Sequence, residues 1–464
     1  MQPRYVSPRI FWAGLVAALS LCGCASVPDV DDIGREQQAG TPQIVGAHGP
    51  LTAAQSRVIL ARLAQQSPGS DLLERHLAIE QAVAGAPLIA GNQTTLLHDG
   101  PETFRAMFKA IDAAKKSIYL EYYIFENVES DGQYLADLLI AKRQQGVAIG
   151  VIYDSYGSMD TPSEFFDRLK AAGIELLEFH PVNSLAGMFT LNDRDHRKIL
   201  VVDGTVAIVG GVNLFTAYQA HPHATFVASD GANPDTWHDT DLEIDGPAAA
   251  PLQTLFLDHW AASGGSALPS ADPSTPAPAL GKEVVRIIGS DHDDTIPRYY
   301  AALLSAIRNA DKTIWLTTAY FVPTGDELRD LKAAARRGVD VRLLVPGKSD
   351  SSLALAASHS TYGGLLRAGV KIFALQDGML HSKTVVIDGV WSAIGSSNFD
   401  HRSILFNDEV DAIVLGRDTA RQLEATFEKS EDTLAEPISL TKWEDRSLTE
   451  RIRELYSRAL IDLL

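Results

Sequence analysis

Cysteine is almost absent from this 464-residue chain: there are two, Cys22 and Cys24, both near its start. No disulfide framework and no multi-cysteine metal site can therefore hold the fold together, and a thiol-free body is compatible with an oxidising compartment. A basic excess is lacking too. Forty Lys and Arg stand against 59 Asp and Glu, for a formal net charge of −19. Acidic surfaces do not capture polyphosphate, so the balance weighs against nucleic acid as a partner. The apolar run Ile10 to Leu21 is too short to span a bilayer comfortably. What is plentiful is hydrophobic residue, 45% of the chain, enough to bury large cores; the length suggests two domains or one large pseudo-repeat.

Arg4 and Arg9, then that apolar run, then small residues around a cysteine form a signal-peptide layout. Leu21-Cys22-Gly23-Cys24 resembles the bacterial lipobox, in which cleavage before the cysteine frees it to receive lipid. Residues 1–23 would then be removed and Cys24 would carry the anchor. A simple secretory signal or an uncleaved anchor is the alternative. Ala25 after the cysteine resembles lipoproteins sent on to the outer membrane, which implies a bacterial envelope protein facing the periplasm.

Residues 24–90 read as a tether followed by a helical segment: Pro28, Asp29, Asp31, Asp32, Gly40 and Pro42 mark a solvated stretch to residue 50, and a helical pattern runs from about Thr52 to Val83. Residues 263–282 are Pro-, Ser-, Gly- and Ala-rich, a composition that does not pack and reads as a linker. It separates residues 91–262 from residues 283–464, and these two stretches repeat each other. Ala110-Ile111 through Ile118-Tyr119-Leu120 matches Ala306-Ile307 through Ile314-Trp315-Leu316, and Ala172-Gly173-Ile174 matches Ala368-Gly369-Val370. Helices alternating with short apolar strands imply α/β halves built in layers, a duplicated domain and not a solenoid.

The strongest signal is His196-x-Lys198-x4-Asp203 followed by Gly210-Gly211-x-Asn213, with its twin His381-x-Lys383-x4-Asp388 followed by Gly395-Ser396-x-Asn398. Ile199 to Val202 and Val206 to Val209 are β-rich runs around Asp203-Gly204-Thr205, a hairpin signal. With Gly204-Thr205 as a two-residue turn, His196 faces Asn213; with Gly389-Val390, His381 faces Asn398. Strand alternation puts each histidine and its lysine on one face. Each half thus offers an imidazole, an ammonium and an amide in one patch.

Asp203 lies seven residues from His196, roughly 23 Å along an extended strand. The motif aspartates Asp203 and Asp388, although part of the signature, are therefore expected to fix the hairpin, and other carboxylates to orient the imidazoles. Asp239 and Glu409, at equivalent places in Asp239-x-Asp241 and Glu409-x-Asp411, are the candidates. Two facing patches suit a phosphodiester. Lysines and asparagine amides, Asn213 and Asn398 among them, can hold the nonbridging oxygens. A neutral imidazole can attack phosphorus, and a protonated one can donate to the leaving alcohol. The intermediate is a phosphohistidine. No metal or other cofactor is needed when lysines carry the charge. His221 and His223, in the polar stretch Tyr218 to Asp235, read as a solvated loop and not as a metal site.

These motifs resemble the HKD signature of the phospholipase D superfamily, over about Leu96 to the C-terminus. Within it the chain is similar to bacterial cardiolipin synthases, on Trp237-His238-Asp239-Thr240-Asp241-Leu242 and on Gly395-Ser396-Ser397-Asn398-Phe399-Asp400-x-Arg402-Ser403 with Asn407 and Glu409. The resemblance implies two pseudo-repeated α/β/α sandwiches packed around a shared active site, His196 as nucleophile and His381 as general acid. It also implies phosphatidylglycerol as phosphatidyl donor, with a second phosphatidylglycerol or phosphatidylethanolamine as the other substrate. Hydrolysis to phosphatidic acid and a secreted nuclease are the rival activities.

Overall fold

The computed structural model describes residues 42–182, 192–219, 237–268 and 277–447, with 449, 451, 454 and 457 beyond them. Cys24 and the rest of the signal layout, the tether to residue 41, His221 and His223, and residues 269–276 of the linker lie outside the described residues.

Each half is built on the same plan. In the first, Ser117–Tyr122, Ala148–Asp154 and Glu175–Phe179 run parallel. They are linked by the helices Leu135–Gln144 and Ser163–Ala171, as parallel strands require. On the other side of Ser117–Tyr122 the sheet turns antiparallel through Lys198–Val202, Val206–Gly210, Thr240–Asp245 and Leu88–His98. The second half repeats this, with Thr313–Thr317, Asp340–Pro346 and Lys371–Leu375 parallel, then Thr384–Ile387, Trp391–Gly395, Asn407–Leu415 and Glu283–Ser290 antiparallel. The near-continuous Val, Ile and Leu runs are explained by strands buried on both faces.

The halves share both a sheet and a core. Leu88–His98 pairs with Glu283–Ser290, Val285 opposite Ile89, so the two sheets are one. Between them lies a core contributed by both, with Val201, Val209, Leu252 and Phe256 from the first half and Val386, Ile394, Val414 and Leu423 from the second. The helices Ala249–Ala262 and Arg417–Thr433 fill it. Each remaining face carries its own core under the connecting helices.

Four sequence expectations need correction. The N-terminal helical stretch is two helices, Ala53–Gln65 and Leu72–Ala84, because Pro68 has no amide to donate and Gly69 turns left-handed at φ 80°. Both pack on the second half, where Glu80 pairs with Arg286 at 2.8 Å and accepts from Trp391 Nε1 at 3.0 Å. The tether also ends earlier than composition indicates, since Ile44–Gly46 already pairs with the strand that begins at Leu88. The ends of the linker do pack: Leu268 and Ala277 are buried, and Leu268 fits against the bare backbone of Gly150. A few apolar residues in a Pro- and Ser-rich stretch are enough to pin it.

The fourth correction is the hairpin. Val202 pairs with Val206 and Ile199 with Val209, one residue out of the expected register. The left-handed pair is Asp203-Gly204, at φ 53° and 66°, closed by Thr205 N–H donating to Val202 O at 3.1 Å. The second copy behaves alike, with Asp388 and Gly389 left-handed. Asp tolerates this conformation better than Thr or Val, whose branched Cβ opposes it.

Candidate active site

The motif aspartates explain the turn. Asp203 accepts from the backbone amides of Lys115, Lys116 and Ser117 at 2.9, 2.7 and 2.9 Å. Asp388 accepts from those of Asp311, Lys312 and Thr313 at 2.9, 2.8 and 3.0 Å. The amides belong to the very segments that repeat between the halves, each a bend from helix into strand. Neither aspartate reaches a histidine.

The histidines meet at the junction of the halves. Arg194–Asp195 runs parallel to Asn407–Asp408, Asp195 beside Asp408, so the next residues, His196 and Glu409, stand side by side. Trp237–His238 runs parallel to Met379–Leu380, which sets Asp239 beside His381 in the same way. His196 Nδ1 lies 3.0 Å from both carboxylate oxygens of Glu409, and His381 Nδ1 lies 2.7 Å from Asp239 Oδ2. Each imidazole is therefore held by the carboxylate of the other half.

The supporting contacts account for the surrounding sequence. Glu409 accepts from Ser403 Oγ at 2.8 Å and Asn407 Nδ2 at 3.2 Å, while Asp400 caps the short helix that carries Ser403. Thr240 N–H donates to Asp239 Oδ1 at 2.8 Å. Gly211 replaces the serine of the second copy because a Cβ there would stand 2.1 Å from Asp239 Oδ1; Ser396, beside the longer Glu409, accepts from Val410 N–H at 3.0 Å. Asn213 accepts from Ile124 N–H through Oδ1 at 3.2 Å, which leaves its amide nitrogen for the cleft. Lys198 and Lys383 each donate to the backbone carbonyl of their own histidine, and Lys383 Nζ is 3.0 Å from His381 Nδ1.

His196, His381, Asn213 and Asn398 line one cleft of about 310 Å³, together with Tyr123, Arg194, Trp237, Tyr320, Asp350, Asp400 and Arg402. Burial dominates its electrostatics. With Lys198 and Lys383 adding to it, burial holds His196 well below the usual imidazole value. His381 is lowered as well, by burial and by Lys383 against the pull of Asp239. Burial brings Lys198 down to about 7 and Lys383 to about 8, and pushes Glu409 up to about 7. Asp239 goes the other way, since the charge and hydrogen bond of His381 outweigh its burial. The two histidines are thus unequal: His196 favours the neutral imidazole, and His381 sits against an ionised carboxylate.

Two participants were missed in the sequence. Tyr218 donates to Asp239 Oδ2 at 2.8 Å and stands 2.8 Å from His381 Nδ1; in the sequence it marks only the start of a polar loop, and nothing local sets it apart. Arg197, fully buried between the histidine and the lysine, donates through Nε to the carbonyl of Glu409 at 3.2 Å and through Nη1 to Glu121 Oε1 at 3.2 Å. A charged residue at the inward position of a buried strand was the available clue.

The family described as "Cardiolipin synthase, PLD-like domain" matches residues 107–227 and 303–430. The chain is 35% identical over 408 residues to a cardiolipin synthase of Geobacillus sp. (strain WCH70), covering 86% of this chain and 78% of that one. To cardiolipin synthase 1 of Bacillus anthracis it is 34% identical over 394 residues, covering 83% and 75%. Among solved structures, phosphatidylserine synthase of Haemophilus influenzae Rd KW20 superposes with a TM-score of 0.62 at 14% identity, over 83% of this chain and 99% of that one; the likeness is one of fold.

Proposed function

The chain belongs to the cardiolipin synthase family of phospholipase D-like proteins, and from that premise we propose that it transfers a phosphatidyl group from phosphatidylglycerol to a second phospholipid and so forms cardiolipin. The observation that carries the reading is the pair of imidazoles in one cleft, each held by a carboxylate of the other half. His196, neutral and donating Nδ1–H to Glu409, attacks phosphorus through Nε2. His381, protonated against Asp239, gives its proton to the departing glycerol. Lys198, Lys383, Asn213 and Asn398 hold the nonbridging oxygens as charge builds on them. The headgroup hydroxyl of a second phosphatidylglycerol then gives its proton to His381 and displaces His196, so that two phosphatidylglycerols yield cardiolipin and glycerol. When phosphatidylethanolamine supplies the phosphatidyl group, ethanolamine leaves instead.

Glu409 and Asp239 are positioning residues in this scheme, and Asp203 and Asp388 are structural. We place the protein at a membrane face of the bacterial envelope, anchored through Cys24. Among the described residues no helix is long and apolar enough to cross a membrane, and the lipobox resemblance supplies the anchor. Hydrolysis to phosphatidic acid needs the same residues and differs only in admitting water.

Purified protein and its His196→Ala variant, incubated with phosphatidylglycerol vesicles with and without phosphatidylethanolamine, test the reading by mass spectrometry of the lipids. Cardiolipin from the wild type alone is expected. Phosphatidic acid without cardiolipin would make the protein a phospholipase D, and no turnover of either lipid would sink a lipid substrate.

A further inference from the structure

The reaction leaves one face of the cleft to the alcohol. If His196 attacks phosphorus in line, the leaving headgroup and the entering one both occupy the side of His381, which protonates the first and deprotonates the second. Three side chains border that side. Trp237 stands with its ring 5.4 Å from the ring of His381, and Tyr320 and Asp350 line both the main cleft and the adjoining recess that His381 shares with Trp237 and Lys348. Tyr320 Oη donates to Asp350 Oδ1 at 2.7 Å and Oδ2 at 2.9 Å, and Ser349 Oγ donates to Oδ1 at 3.2 Å. Asp350 is exposed, and its charge is felt at Lys383.

A carboxylate here needs a reason. The cleft must receive a phosphodiester anion, and an exposed negative charge beside it weakens that binding. The cost is offset if the carboxylate accepts hydrogen bonds from the headgroup, because bonds to an ionised acceptor are the strong ones. Two headgroup chemistries could donate: the hydroxyls of glycerol and the ammonium of ethanolamine. Lys348 in the same recess and Lys383 behind it disfavour a second cation, whereas a neutral polyol tolerates both.

We propose that Asp350, oriented by Tyr320, is the specificity-determining residue for the alcohol, binding the free hydroxyls of a glycerol headgroup on the His381 side of the cleft. This rests on the phosphatidyl-transfer reading. A partition experiment separates the two. The full-length enzyme is given a short-chain phosphatidylglycerol with deuterated glycerol, ethanol and ethanolamine as competing acceptors, and the products are counted by mass spectrometry. All arise from one phosphatidyl-enzyme, so their ratio is independent of how much protein is active.

The ratio of deuterated phosphatidylglycerol to phosphatidylethanol is expected to fall about tenfold in Asp350→Ala, as loss of a bond to a charged acceptor implies, and by less in Tyr320→Phe. Should Asp350→Ala lose all turnover, Asp350→Asn, which keeps the shape of the loop, reads the same ratio. An unchanged ratio overturns the proposal, and so does a fall confined to the ethanolamine product, which would assign Asp350 to an ammonium. A wild-type enzyme that transfers to no acceptor would refute the transfer reading itself, and this proposal with it.

Discussion

His381 Nδ1 lies 2.7 Å from Oδ2 of Asp239, a carboxylate 142 residues earlier in the other half of the molecule, and His196 is paired in the same crossed fashion with Glu409, 213 residues later. Neither half by itself completes either of these two histidine–carboxylate pairs. The duplicated chain supplies four elements of one site, two from each repeat.

Crossing makes Asp239 the sharpest test of positioning. Asp239→Asn keeps the volume and the bond to Thr240 but removes the charge that steadies imidazolium at His381. A loss of about 10²–10⁴ in kcat is expected, the range of a general acid's contribution, with an unchanged melting temperature. Steady-state turnover of phosphatidylglycerol alongside calorimetry checks it; a variant that loses stability and activity together would argue for a structural role alone.

The lysines set an alkaline limit. Ammonium at Lys198 is present below its value of about 7 and lost above it, and at Lys383 below and above about 8. The sign is therefore a kcat/KM that falls as pH rises through this window, since that parameter reports the free enzyme. Lys198→Arg, which cannot deprotonate there, should move the fall to higher pH. A profile in both proteins flat to about pH 10 contradicts the assignment.

Asp203→Ala strands three backbone amides at the mouth of the strand Ser117–Tyr122. Part of that bend is exposed, so a cost of about 1–3 kcal/mol is expected, read as a lower urea midpoint. Turnover per folded molecule should stay within about an order of magnitude of the wild type, in contrast to the histidine variants.

Tyr218→Phe removes one donor from Asp239 and leaves the ring packing in place. The carboxylate then attracts the His381 proton more strongly, so the limb of the kcat profile that reports His381 should move to higher pH, with kcat down about tenfold. A variant with the wild-type profile would reduce Tyr218 to a packing residue.

At the far side of the second half, the buried Glu80 is held near 2: burial raises it, but Arg286 and His76 bring it down. Because the folded value is depressed below about 4.5, its stabilisation is present above that pH and is lost as pH falls toward 2. Glu80→Ala should cost about 3–5 kcal/mol by leaving Arg286 buried and unpaired. Its melting temperature should also vary less between pH 5 and pH 3 than that of the wild type.

Much of this protein was legible in its sequence because the signals were local. The twin His-x-Lys motifs, the β-rich runs around Asp203 and Asp388, and the helix-to-strand segments at 110–120 and 306–316 all lie within one element or one turn, where side-chain alternation and turn chemistry act. The family resemblance followed from them, as did the view that the motif aspartates are too far along the strand to serve their histidines. The hairpin register was off by one, since it depended on which two residues turn left-handed, a choice made by the amides that Asp203 binds across the sheet.

Other features were decided by tertiary structure alone. Asp239 and Glu409 could be named as candidates, but their assignment to the opposite histidines comes from two short parallel pairings, at Asp195 beside Asp408 and at His238 beside Leu380. Tyr218 joins Asp239 only because its short helix, Thr216–Gln219, packs on the helix Asp99–Ala113 of the same half, and Arg197 reaches Glu409 only once the two sheets share a core. Contacts between groups 142 or 213 residues apart leave no periodicity in the chain. They exist because folding closes those loops, and hydrophobic burial in the shared core offsets the entropy of closing them.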